Sequence, residues 1–138
     1  ISVPLGTSVF DTLKTMNAHR VGAILITRNG QVVGIWTERD LMRNAVAQGF
    51  DLKTALIDDV MTTDLVSAPH TDTVYNLMDK FLGRRIRHLL IEENGEYIGI
   101  LSGGDVMKCV IHEKDDELRQ LNSMVSWDYY ENWKWKPF

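Results

Sequence analysis

Apolar positions along the chain follow a helix, strand, strand, helix rhythm that is written twice. The first copy opens on Ile1-Ser2-Val3-Pro4, a short extended piece closed by proline. Val9, Leu13 and Met16 then recur at helical spacing, with Thr7 or Ser8 placed to cap that helix. The nearly continuous apolar run from Ala23 to Thr27 predicts a strand covered on both faces. Asn29-Gly30 predicts a hairpin turn, because both central residues of such a turn take positive φ. Val32 to Trp36 reads as the returning strand. Thr37 then opens a helix to about Gln48, with Gly49 as its left-handed terminator.

Residues 50–64 join the copies through a short helical or turn-like piece ending in Asp59-Val60-Met61-Thr62. Composition does not change there, so the piece reads as a packed connector and not a flexible linker. The second copy follows: a short strand Leu65-Val66-Ser67-Ala68 closed by Pro69, and a helix bearing Val74, Leu77, Met78, Phe81 and Leu82. Thr71 or Asp72 is placed to cap that helix. Strands at His88–Ile91 and Tyr97–Leu101 flank a second Asn-Gly pair, Asn94-Gly95.

The last helix runs past the repeat. Met107, Ile111, Lys114, Leu118, Leu121 and Val125 alternate spacings of four and three, the seam of a short coiled coil that Lys114 weakens. Such a helix either lies on its own core or pairs with a second chain. Beyond it, the segment from Trp127 to Phe138 holds three of the four Trp residues, an aromatic density typical of interfaces. It fits docking on the chain's own dimer, on a partner protein or over a ligand cleft.

The copies match without a gap at an offset of 65 positions, from Val9/Val74 through Val21/Ile86 and Ile26/Ile91 to Met42/Met107. Each closes with the same spacing, Gly34-x-x-Thr37-x-x-Asp40 and Gly99-x-x-Ser102-x-x-Asp105. Two units are too few for a solenoid and point to a pseudo-symmetric pair. This doubled motif resembles that of the CBS-domain pair, or Bateman module, over roughly residues 1–112.

The resemblance implies an α+β fold of two pseudo-symmetric β-α-β-β-α CBS repeats packed through their sheets, here with an extended C-terminal helix and aromatic tail. The expected division is 1–49, first repeat; 50–64, connector; 65–112, second repeat; and 113–138, helix extension and tail. It also implies clefts for adenosine compounds: AMP, ADP or ATP, or else NAD or S-adenosylmethionine. The matching Asp40 and Asp105 would accept the ribose hydroxyls, a carboxylate offering two oxygens to a cis-diol. Thr37 and Ser102 would contact sugar or phosphate. Adenine would pack at Ser2, Val3, Gly22 and Ala23 in one half, and at Val66, Ser67, Arg87 and His88 in the other. Pseudo-symmetry would bring the Asp of one repeat near the adenine strand of the other.

The alternative is purely structural: Thr37 and Ser102 cap their helices, and the Asp residues are favourable first-turn charges. The halves also differ. Arg84, Arg85, Arg87 and His88 form a basic cluster with no equal in the first copy, suited to phosphate. Gly103-Gly104 stands where the first copy has Glu38-Arg39, which permits close backbone approach and removes a carboxylate that would repel phosphate.

Composition narrows the function classes. At 138 residues, 44% hydrophobic and 25% charged, the chain can bury a real core. A net charge of −4 argues against a broad nucleic-acid surface. No apolar run approaches the roughly 18–20 residues of a membrane span. The single Cys fits a cytoplasmic setting and excludes an internal disulfide. Cys109 reads as a buried thiol, and the four His show no metal-ligand spacing. No nucleophile or paired-carboxylate motif appears, so no catalysis is expected. A first residue of Ile and not Met fits a piece of a longer chain.

Three functions remain: an adenosine-nucleotide sensor acting as a homodimer; a dimerisation or protein-interaction module without ligand; and the regulatory fragment of a larger enzyme or transporter.

Overall fold

The structure is a computed structural model that describes residues 1–132, with side chains described through Ser123. The aromatic segment from Trp127 and the seam position Val125 therefore lie outside the described side chains. Among the described residues the fold is α+β, with two three-stranded sheets and four α-helices. Contacts divide the chain into two units, Ile1–His70 with His88–Ile100, and Thr71–Arg87 with Leu101–Phe138.

In the first unit, β1 (Ser2–Pro4) lies parallel to β2 (Ala23–Arg28), and α1 (Val9–His19) makes the crossover between them. β3 (Gln31–Thr37) returns antiparallel to β2. Asn29 and Gly30 take φ of 51° and 82°, the left-handed pair that the Asn-Gly sequence predicts. Ile24 and Ile26 of β2 are fully buried, whereas Ala23 and Leu25 are only half-buried, so the strand is covered more on one face than its apolar run suggests. With Val3, Val9, Met16, Trp36 and Ile57 they form the core. Trp36 buries its ring completely and donates its indole N–H to Asn44 Oδ1 at 3.1 Å.

α1 is capped by Ser8, whose Oγ accepts the Asp11 N–H at 3.0 Å. It ends on Arg20 at φ 54°. α2 (Glu38–Ala45) is shorter than its pattern predicts. It stops at Ala45 because residues 44–50 turn back on themselves, with Ala47 N–H donating to Asn44 O and Phe50 N–H to Ala47 O. Gly49, at φ 81°, serves those turns and not the helix end.

The connector packs. Ile57 opens a single 3-10 turn (Ile57–Asp59) and is fully buried. Thr62 bridges to Ile35 of β3 through two backbone hydrogen bonds of 2.8 and 2.9 Å.

The first unit also holds the second sheet up to Ile100: β4 (Ser67–Pro69) parallel to β5 (His88–Glu93), with β6 (Glu96–Ser102) on its far side. β5 and β6 join through Asn94 and Gly95 at φ 51° and 82°, the same turn as in the first sheet.

In the second unit, α3 (Val74–Arg84) is capped by Thr73, not by Thr71 or Asp72. Thr73 stands 65 positions after Ser8, so the repeat itself marks the cap. Asp72 instead accepts from the Thr73 N–H at 3.0 Å and Asn76 Nδ2 at 2.8 Å, and pairs with Lys80. α3 ends on Arg85 at φ 52°, the counterpart of Arg20. α4 (Gly103–Asn132) is one continuous helix of 30 residues.

α4 buries Val106 and half-buries Val110, a narrow stripe. Cys109 lies off that stripe and is exposed, so the expectation of a buried thiol is corrected. Met107, Ile111, Leu118 and Leu121 are 48–57% exposed, so this seam is not covered by the described residues.

Candidate functional site

Each repeat ends its hairpin on a hydroxyl residue that caps the next helix, because the chain must leave an extended strand and enter a helix within one residue. Thr37 does so at φ −134°, ψ 165°. Its N–H and Oγ1 both donate to Asp40 Oδ2, at 3.0 and 2.7 Å, and the Asp40 N–H donates back to Oγ1 at 3.4 Å. This reciprocal capping box satisfies two backbone donors and fixes the Asp40 rotamer. Oδ1, the second oxygen, has Arg43 Nη1 at 3.6 Å, and the side chain is only 17% exposed.

The second repeat builds the same device. Ser102 N–H and Oγ donate to Asp105 Oδ2 at 2.8 and 2.6 Å, and the Asp105 N–H donates to Ser102 Oγ at 3.3 Å. The capping reading of these residues is therefore correct, and it does not compete with a binding role. The cap engages one carboxylate oxygen in each copy and holds the other in a defined place.

The strand entrances sit beside these caps. Ala23 pairs with Thr37 across β2 and β3, and the Glu38 N–H donates to Gly22 O at 3.0 Å. Gly22, Ala23, Thr37 and Asp40 are thus gathered at one place. In the second unit the equivalent bond runs from Gly103 N–H to Arg87 O at 3.4 Å, which gathers Arg87, Ser102 and Asp105. Arg84 and Arg85 close α3 and are exposed, and His88 opens β5.

Other expected residues are differently placed. Ser2 is exposed on β1, but the Val3 side chain belongs to the core, which leaves only its backbone to meet a ligand. Val66 O accepts the Leu90 N–H at 2.9 Å, and Ser67 Oγ donates to Glu92 Oε2 at 3.0 Å.

The sequence marked Glu38 as a carboxylate with no counterpart in the second copy, and the structure shows where that carboxylate lies. The Glu38 carboxylate lies over Gly22, so near that a Cβ on Gly22 would sit 3.3 Å from the Glu38 carboxyl carbon. Glu38 also lines a hollow of about 460 Å³ with Leu13, Met16, Asn17, Arg20, Val21 and Leu41. A second hollow of about 370 Å³ lies at the hairpin turns and is lined by Gly30, Gln31, Val32, Glu92, Gly95, Glu96 and Tyr97. Its two carboxylates make it a poor host for phosphate. Among the described residues, no cluster of His, Cys, Asp and Glu suits a metal ion, and no helix is long and apolar enough to cross a membrane.

The CBS-domain family model matches residues 1–47 and 57–112, one match on each repeat. The chain is a tandem CBS-domain protein. It is 34% identical over 127 residues to the CBS domain-containing protein CBSX3, mitochondrial, of Arabidopsis thaliana, covering 88% of this chain and 62% of that protein. It spans only 19% of a further Arabidopsis relative, CBSCBSPB3, at 32% identity over 80% of this chain. The chain thus covers less than two thirds of the length of these relatives.

Solved CBS-domain structures share the fold. The CBS-domain containing protein ATU1752 from Agrobacterium tumefaciens superposes with a TM-score of 0.74 at 37% identity, over 79% of this chain and 87% of that one. The CBS domain protein PAE2072 from Pyrobaculum aerophilum, solved in complex with AMP, gives a TM-score of 0.67 at 28% identity, over 76% and 81% of the two chains.

Proposed function

We propose that this CBS pair is a regulatory module that binds an adenosine nucleotide, with AMP, ADP or ATP favoured over NAD or S-adenosylmethionine. The observation that carries this reading is the duplicated capping box, Thr37 with Asp40 and Ser102 with Asp105. Each holds a carboxylate of fixed orientation beside a hydroxyl and the N-terminal donors of a helix. A carboxylate suits the two hydroxyls of a ribose, and helix N–H groups with a nearby guanidinium suit a phosphate. The AMP complex of PAE2072 supports the ligand class. Ligand binding would act on the regulated target by favouring one of two arrangements of the module, without chemistry of its own.

The same module is proposed to work as a homodimer. The exposed row Met107, Ile111, Leu118, Leu121 on α4 supports this part, since apolar residues at coiled-coil spacing are stabilised by a facing helix. The aromatic segment after Val125 belongs to the same proposal, as a docking element for this dimer or a protein partner.

A thermal-shift panel of AMP, ADP, ATP, NAD and S-adenosylmethionine, with GTP as control, tests the ligand. Saturation a hundredfold above Kd should add about 2.7 kcal/mol of stability. Asp40→Ala and Asp105→Ala should each weaken binding. Absence of a shift with every adenosine compound would refute the sensor and leave the interaction module.

A further inference from the structure

The repeats place different groups on equivalent backbone. Glu38 donates its N–H to Gly22 O, and Gly103 donates its N–H to Arg87 O, so the residue pairs 22/38 and 87/103 occupy the same positions in the two copies. Their side chains are exchanged in kind. The first copy has no side chain at the strand entrance and a carboxylate at the start of the helix. The second has a guanidinium at the strand entrance and no side chain on the helix.

In the first copy the Glu38 carboxylate fills the space that Gly22 leaves, 3.3 Å from where a Cβ would stand. In the second, Gly103 has only the Phe81 ring near its own missing Cβ, at 3.9 Å. The other charges do not cancel this difference. Arg20 and Arg85 take the same left-handed position at the ends of α1 and α3. In the first copy Arg20, Arg39 and Arg43 are set against Glu38 and Asp40, an excess of one positive charge, whereas Arg84, Arg85, Arg87 and Lys108 are set against Asp105, an excess of three.

We infer that Glu38 and Arg87 decide which repeat takes the phosphate of a nucleotide: Arg87 admits it beside Ser102 and Asp105, and Glu38 denies it to the first repeat. This rests on the adenosine reading and extends it to an assignment of the two copies. A carboxylate that already occupies the place beside the helix start both fills it and repels a dianion. A guanidinium there supplies a planar fork of donors matched to phosphate oxygens. The ribose carboxylates are common to both copies, so discrimination falls on the phosphate and not on the nucleoside.

Isothermal titration of the full chain with AMP and, separately, with adenosine tests the assignment. AMP should saturate at one per chain. Arg87→Gly, which removes the guanidinium and keeps the strand backbone where adenine would pack, should weaken AMP about tenfold more than it weakens adenosine, the scale of one screened charge contact. Glu38→Gln, which keeps the side-chain length and removes the charge, should strengthen a second AMP event about tenfold; Glu38→Gly, which also clears the space, should strengthen it at least as much. Two equal AMP sites in the unaltered chain would overturn the assignment while leaving the nucleotide reading intact. So would an Arg87→Gly variant that loses AMP and adenosine alike. If the unaltered chain binds neither compound, the adenosine reading itself fails, and the assignment with it.

Discussion

Gly34→Ala and Gly99→Ala are the same substitution at the same position of the repeated motif, yet they should have opposite consequences. Gly34 is buried in β3, where the connector passes over it. A Cβ there would stand 2.4 Å from Met61 Sδ, 3.0 Å from its Cγ and 3.4 Å from its Cβ. Carbon and sulfur need roughly 3.5–4 Å, so retracting the thioether alone is not enough and the Met61 side chain must leave its present rotamer. Overpacking of this kind costs about 1–3 kcal/mol. The stiffer unfolded chain returns about 0.4–1 kcal/mol, for a net loss of about 1–2 kcal/mol. Among the described residues, Gly99 has no atom within 4 Å of its missing Cβ, and its φ is not positive, so there only the favourable term remains.

The two variants should therefore differ by about 2 kcal/mol, on the order of 5 °C in Tm for a chain of this size. Urea denaturation of both, and of Gly34→Ala combined with Met61→Ala, measures it. The combined variant should be at least ~1 kcal/mol more stable than the sum of its single effects, because Met61→Ala removes the overlap. Equal stabilities for Gly34→Ala and Gly99→Ala, or strict additivity in the combined variant, would refute the packing argument.

Arg20→Gly and Arg85→Gly should each raise stability by about 0.5–1 kcal/mol, since both residues sit at positive φ where glycine is unstrained; unchanged melting would mean that the arginine side chains earn their place through contacts. Asp72, 9% exposed, is held below the usual carboxylate range by its bond with Lys80 first and then by Asn76. Its contribution should be full above the ordinary value near 3.8 and drain away as the pH falls through the lower folded value. Acid titrations of the native chain and Asp72→Asn should therefore diverge at neutral pH and converge in strong acid; parallel curves would refute the pair. Leu118→Asp with Leu121→Asp should leave secondary structure unchanged and reduce the solution mass seen by light scattering; an unaltered mass would remove α4 from the proposed dimer contact.

Local rules read off single residues often went astray by a few positions, whereas the repeat did not. Thr71 and Asp72 are good capping types, but Thr73 caps α3, as its equivalence with Ser8 dictates. The end of α2 was misplaced because Gly49 has the right chemistry for a terminator and the turns at residues 44–50 intervene first. The candidate site was legible as a motif, since a hydroxyl three residues before an Asp prescribes a capping box wherever a strand runs into a helix. The position of the Glu38 carboxylate over Gly22 had a signal too, in the exchange of Gly and Glu for Arg and Gly between the copies, but only the fold sets those two positions side by side.

By itself, then, the sequence determined what depends on neighbours along the chain: the strands and helices, both Asn-Gly turns, the hydroxyl caps offered at Thr37 and Ser102 and, through the repeated motif, the family. Tertiary structure alone decided what depends on residues brought from elsewhere. It put Met61 over one motif glycine and nothing over the other, Val3 into the core, and Cys109 and the apolar row of α4 at the surface. The physical reason is that hydrogen-bonded turns and caps close within four residues, while burial is a property of whatever the rest of the chain lays on top.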